Sequence, residues 1–409
     1  MSDPSLSHHP SSRSLRERLA TRERSPVIST VPLHPAEELP AEEPPSIQEG
    51  SAAAPIATAC DDGELVRHHD LWFSDGSIVL RAENVLFRVH ISQLSRHSTV
   101  FADMLEFPQP AGTPSSDAGG DGEQGERIDG CPVLFLHDKA EDVMNLLHAL
   151  YDGPSFGDNG REDFRAVSGI LRLANKYDIE KLRSTAVDHL STAWPMTLRA
   201  WDLREDLART YEIETGMQRG FRYPSPVAII NLAREVDAPH LLPSAFYDLS
   251  RYHYAQVFGT VPGEPDDHEP LGAGSPRAST LAHADIQKLA VGKEAAAHAV
   301  TWLIQSMAHG SHGDSPRHLA EAGAGGQFGF GFGACRKDFG ELVELATQHY
   351  LFDRERGCAD PLYVAEELGQ LKSAEFSECK ACARSLEGWA ARERERMWKM
   401  IPVWFRLTA

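Results

Sequence analysis

A chain of 409 residues is long enough for about two or three domains, and 41% hydrophobic residues support a buried core. Its net charge of −20 argues against a general nucleic-acid backbone binder, which carries a basic face. No run approaches the ~18 apolar residues of a membrane span, the N-terminus has no apolar signal segment, and six sparse cysteines fit a reducing intracellular setting, cytoplasmic or nuclear, better than a disulfide framework.

Residues 1–63 are rich in Ser, Pro, Glu and Ala. Such a segment buries too little apolar surface to offset its ordering entropy, so a disordered arm is expected, with Ser25-Pro26 in a solvated charged tail. Next comes DLWFSDGSIVLRAENVLFRVHISQLSRHSTVFADML, Asp70 to Leu105. Ser77–Ala82 is apolar and β-branched, Glu83-Asn84 suits a two-residue turn, and Val85, Phe87 and Val89 alternate with Leu86 and Arg88, so a β-hairpin is expected. After His90 the period changes. Ser98 is placed to cap a helix whose apolar residues are Val100, Phe101, Met104 and Leu105.

These residues resemble a known family. Asp70, Trp72-Phe73, Asp75-Gly76, Val79, Phe87, His90, Leu94, Ser98 and Phe101 match the BTB (POZ) domain in the version common in fungal proteins. In that family a hairpin leads to a histidine at the start of a short helix, and a serine and a phenylalanine follow in the next. The resemblance implies a protein-interaction module.

A polar insertion is expected at about 109–130, tolerated because closure entropy grows slowly with loop length. Cys131-Pro132 opens a third strand, Val133–Leu136. Asp138 and Glu141 form a capping-box pattern before a helix burying Val143, Leu146, Leu147, Leu150 and Tyr151, ended by Gly153. Two further stripes follow, Phe164, Val167, Leu171, Ala174 and Ile179, Leu182, Ala186, Leu190, with Asp178 expected to cap the second. Leu171, Ala174 and Lys176-Tyr177 resemble the closing helical hairpin of BTB domains. The likeness therefore covers about 66–192, and Trp194-Pro195 marks its boundary.

The remainder, 193–409, reads as mainly helical, with low-complexity linkers at about 256–278 and 309–335. Helices are expected from Ser225-Pro226, over Leu241–Tyr254, within 280–308, and over Phe339–Tyr350. The order of these helices and the string from Ala233 to Pro243 resemble the BACK region that follows many BTB domains. A charged C-terminal helix is expected to stop at Ile401-Pro402. Cys379-x-x-Cys382, Trp398, Pro402, Phe405 and Leu407 resemble the ending of fungal BTB proteins. The expected fold class is α+β: a BTB/POZ domain, a small sheet flanked by helices, followed by a mainly α-helical region.

Cys379 and Cys382 are spaced to share one zinc, with Cys335, Cys358 and His349 as further candidate ligands, but none makes a second close pair. Buried free thiols are the default, so no metal or other cofactor is expected. His309, His312 and His318 read as solvated linker residues, and His90 as a structural residue at the strand-to-helix junction. Asp338-Phe339-Gly340 spells the kinase metal-binding tripeptide without the phosphate-covering loop or the catalytic-loop string. The glycines from Gly323 to Gly333 follow no strand, so no dinucleotide site is expected. No catalytic constellation is found.

The expectation is non-catalytic protein–protein interaction. The resemblance implies two jobs: adaptor for a cullin-type ubiquitin ligase, with the C-terminal helices holding a substrate, or homo-oligomeric scaffold or transcription co-regulator. A metal-dependent enzyme or zinc protein using Cys379 and Cys382 is the alternative of a different class. Expected partners are proteins, including a second copy and a cullin, without nucleic acid or membrane. Val89, Ile91, Leu94 and Phe101 are the interaction-surface candidates.

Overall fold

The computed structural model describes residues 64–106, 127–217, 220–252, 281–308, 340–351, 360–370 and 380–408. The expected N-terminal arm, most of the polar insertion and both linkers lie outside the described residues. Five strands, β1 (Val66–Trp72), β2 (Ile78–Ala82), β3 (Val85–Val89), β4 (Arg127–Ile128) and β5 (Cys131–Leu136), form one sheet in the order β1-β3-β2-β5-β4. β2 lies antiparallel to β3 and parallel to β5.

The period-two pattern sorts the sheet's faces. Ile78, Leu80 and Ala82 of β2, Phe87 and Val89 of β3 and Leu136 of β5 enter the main core; Val79, Leu86 and Cys131 gather on the other face with Trp72 and Val133. The hairpin forms where the sequence places it, but Glu83, not Asn84, takes the left-handed backbone (φ 51°). Its carboxylate accepts the N–H of Ala140 at 3.0 Å, so the turn also serves the start of a distant helix.

β1 and β4 were not expected. β1 runs parallel to β3 with a register irregularity between Arg67 and Trp72. There His68 Nδ1 accepts the N–H of Leu71 at 3.2 Å. Of this polar strand only Leu71 is buried. β4 ends the stretch read as insertion. Asp129 (φ 49°) and Gly130 (φ 79°) turn the chain into β5, the doubly left-handed backbone that an Asp-Gly hairpin turn favours.

Helices α1 (Ile91–His97), α2 (Thr99–Glu106), α3 (Ala140–Tyr151), α4 (Arg161–Lys176) and α5 (Glu180–Ala193) flank this sheet. Ser98 starts α2 as expected: its Oγ accepts the N–H of Phe101 at 2.9 Å and donates to the Tyr177 carbonyl at 2.5 Å. The capping box is different. Asp138 takes Lys176 Nζ at 2.7 Å and Tyr177 OH at 2.5 Å instead, so it joins α3 to the end of α4. Asp178 is likewise not a cap. It adopts φ 52° and accepts from Thr99 Oγ1 at 2.6 Å, while Ile179 N–H reaches back to the Ala174 carbonyl at 2.8 Å, a Schellman closure of α4.

The same closure recurs downstream. α7 (Pro226–Glu235) ends at Asp237 (φ 50°), with Ala238 N–H on the Ala233 carbonyl at 2.8 Å. A 3₁₀ turn, Pro239–Leu241, and α8 (Leu242–Ser250) follow. Ile170, Leu173, Ala174, Asp178, Leu182, Ala186 and Leu190 recur at constant spacing as Ile229, Leu232, Ala233, Asp237, Leu241, Ala245 and Leu249. The two helical hairpins are thus built on one pattern. Arg183 joins them by donating to the Val236 and Asp237 carbonyls at 2.8 and 3.1 Å.

Between the hairpins lies α6 (Leu198–Thr215), which was not expected. Thr197 caps it and Gly216 (φ 68°) ends it. Then come α9 (His283–Ala308), a helical stretch 340–346 running into a π-helical turn at Thr347–Leu351, α10 (Pro361–Gly369) and α11 (Lys380–Trp404). α11 does not stop at Pro402: it continues through that residue and closes with Arg406 at φ 49° and Leu407 N–H on the Pro402 carbonyl at 2.8 Å. Phe405, fully buried against Phe246 (centroids 5.4 Å apart), anchors this last turn despite the proline. Gly292 of α9 makes room for it; a Cβ there would stand 2.0 Å from the Phe405 ring.

The loop before α4 is held by one carboxylate. Asp163 accepts from the N–H groups of Gly157 (2.7 Å) and Asn159 (2.8 Å) and pairs with His189 Nε2 at 2.7 Å. Burial pushes its pKa up, but these donors outweigh burial and hold it below the ordinary carboxylate value. A depressed folded-state pKa gives stability above the unfolded-state pKa of about 4, lost as pH falls through the folded value. Thermal unfolding between about pH 6 and pH 3 should therefore show Asp163→Asn less acid-sensitive than the parent chain, and less stable at pH 6 by about 1.5–3 kcal/mol. Equal acid slopes in the two proteins would refute this role.

Candidate functional site

The β2–β3 hairpin, α1 and the end of α3 meet at the β3–α1 junction. Tyr151, at the end of α3, accepts the backbone N–H of His90 at 3.0 Å and contacts its Nδ1 at 2.9 Å. His90 Nε2 lies 3.3 Å from Asp75. Phe73 stacks on Tyr151 with centroids 4.8 Å apart. Ser77 Oγ accepts the first N–H of α1, from Ile91, at 2.9 Å, and Gln93 donates to the Leu150 carbonyl at 2.8 Å. The Asp75, His90, Tyr151 series resembles a proton relay only in outline. Burial raises the phenol's pKa, with Asp75 adding to the rise against the His90 N–H, so the hydroxyl is not activated as a nucleophile. The cluster is a clasp that fixes α1 against the sheet and α3.

Three of the four interaction-surface candidates are interior. Val89 and Leu94 are fully buried, and Phe101 is 1% exposed and stacked on Tyr177 at 4.3 Å. Each sits on the core-facing side of its element, where contact with the sheet outweighs any outward role. Only Ile91 remains half-exposed, on the rim of the core where Val100, Met104 and Leu105 are also partly buried.

The densest group of charges was not legible in the sequence. Arg204 of α6 donates to Asp248 at 2.7 Å and to Glu205 at 2.6 Å. Arg251 donates to Glu205 at 2.6 Å and to Asp360 at 3.3 Å, and pairs closely with Asp248. Tyr247 donates to Asp360 at 2.7 Å. Trp194, Trp201 and Tyr223 wall the Arg204 guanidinium at 4.7, 4.7 and 4.5 Å. Burial works against the Arg251 charge, but Glu205, Asp248 and Asp360 outweigh it and hold its pKa well above the ordinary value. Burial and Asp360 together raise the Tyr247 phenol. With two guanidiniums set among three carboxylates, this group's chemistry is cohesion: it ties α6, α8 and the cap of α10 together.

Lys293 of α9 is a half-buried cation. Its Nζ donates to the carbonyls of Ser250 and Tyr252 at 2.7 Å each, and burial lowers its pKa to about 8. Those acceptors make it a cap for the end of α8.

Cys379 lies outside the described residues, as do Cys335 and Cys358, the three linker histidines and Asp338-Phe339. Cys382 falls within α11 and His349 within the π-helical turn. Among the described residues no group of three or more His, Cys, Asp or Glu side chains is placed to hold a metal ion, and no helix is long and apolar enough to cross a membrane. No protein-family model matches the chain, and no curated protein matches it.

Proposed function

We propose that this is a non-catalytic interaction protein in which residues 66–192 form a BTB/POZ-type module that self-associates and serves as an adaptor for a cullin-type ubiquitin ligase. The supporting observation is the element order about β2: an antiparallel hairpin with β3, the paired helices α1 and α2, β5 returning parallel to β2, then α3 and the α4–α5 hairpin. The polar groups of this half are used inward, in the His90–Tyr151 clasp, the Ser98 cap and the Asp138 bridge. The rim around Ile91 is the module's half-exposed apolar border.

The test is affinity purification of the tagged full chain, read by mass spectrometry, beside Ile91→Lys. A cullin should be recovered with the parent chain, and its recovery per folded molecule should fall about tenfold in the variant, whose folded fraction is checked by its unfolding midpoint. Self-association without a cullin would remove the adaptor role and leave a homo-oligomeric scaffold or transcription co-regulator. Neither association would sink the reading.

A further inference from the structure

α6 is apolar on two sides. Its inner side carries Leu198, Trp201 and Ala208, buried against the rest of the helical region. Its outer side carries Leu203 (62% exposed) and Leu207 (53%), one turn apart. Met196 (66%) stands just before the Thr197 cap and Met217 (46%) just after Gly216, both exposed. At about 100° per residue, Arg199, Leu203, Leu207 and Glu214 fall within roughly a third of the helix circumference. Two exposed leucines on one side of the helix, with an exposed methionine beyond each of its ends, form a patch of the kind that marks an interaction site.

We propose that this stripe is an isologous interface in which α6 of one chain packs antiparallel on α6 of a second copy. The charges select both partner and direction. Arg199 lies near one end of the stripe and Glu214 near the other, both exposed. With a twofold axis between Asp206 and Leu207, Arg199 of each copy meets Glu214 of the other, and Met196 meets Met217. Leu207 of each copy then lies beside its mate at the axis and Leu203 opposite Thr210, while Asp206, next to the axis, is paired with Arg209 of its own helix. Parallel packing would set Arg199 against Arg199 and Glu214 against Glu214. An isologous contact requires such self-complementarity, and here it lies within one helix and its two flanks. The inner side stays engaged in this arrangement, with Trp398 Nε1 donating to the Met196 carbonyl at 2.8 Å and Arg394 paired with Asp202. The interface is separate from the Ile91 rim and does not depend on the cullin reading.

The experiment is sedimentation velocity of the full chain over a range of concentrations. The parent chain should self-associate reversibly. Arg199→Glu and Glu214→Arg should each weaken association about tenfold, because the twofold inverts two pairs at once. Combining them restores opposite charges and should bring the association back. Leu203→Glu with Leu207→Glu should abolish this association step, with unfolding midpoints unchanged since both positions are exposed. A parent chain that stays monomeric overturns the proposal, and would assign the stripe to a segment of its own chain or to another protein. Association untouched by the α6 variants, or a double swap as weak as the single swaps, also overturns it; the first outcome would leave association through the BTB-like half standing.

Discussion

Arg251→Met is expected to destabilise the protein by about 3–5 kcal/mol, the usual cost of removing one partner from a buried charge group. The side chain is 9% exposed and faces Glu205, Asp248 and Asp360 together. Without it Arg204 alone answers those carboxylates, and Arg204 is already committed to Asp248 and Glu205. The loss should not be confined to α8. Asp360 caps α10 by accepting the Tyr363 N–H at 3.1 Å, so disturbing its charge balance loosens α10 where it meets α11. Urea unfolding measures the free-energy change, and amide exchange should show lost protection over residues 361–369. A change under about 1 kcal/mol would mean that the group behaves as a solvated surface network. Replacing Arg204 and Arg251 together with Glu205, Asp248 and Asp360 by apolar residues of similar volume should cost far less, since desolvation is then removed with the attraction and no buried charge is left unpaired.

Phe101→Ala is expected to cost about 3–5 kcal/mol, the range for emptying a buried aromatic site. Phe101→Asp should leave the β-sheet half unfolded, because an unpaired carboxylate would replace a ring that is 1% exposed. The consequence would reach both sides of this half. Phe101 stacks on Tyr177, whose carbonyl accepts from Ser98 and whose hydroxyl donates to Asp138. Thermal unfolding of Phe101→Ala and near-ultraviolet dichroism of Phe101→Asp are the measurements. A folded Phe101→Asp that had lost a partner would place the ring at an interface and contradict its burial.

What was legible in the sequence was local. The β2–β3 hairpin, β5, the Ser98 cap, the Gly153 stop and the stripes of α3, α4 and α5 follow from periods and caps encoded within about 15 neighbouring residues. The Ser225 start of α7 is equally local: its Oγ accepts the Val227 N–H. α6 carried the same kind of signal in Thr197, Leu203, Leu207 and Gly216, but its two apolar sides blur a single stripe.

The tertiary structure decided whatever depends on residues far apart in the chain. Polar β1 is a strand because β3 supplies its ladder. Asp138 and Asp178, good caps by type, were drawn to Lys176, Tyr177 and Thr99, where charge-assisted or buried hydrogen bonds outweigh a helix cap. Pro402 stays helical because Phe405 is locked into the core. Val89, Leu94 and Phe101 became interior, and Arg204, Glu205, Asp248, Arg251 and Asp360 converged, only when sheet and helices closed over them. Periodicity specifies which side of an element is apolar; what that side meets, and which charges are buried with it, is set by the packing of elements that sequence order keeps apart.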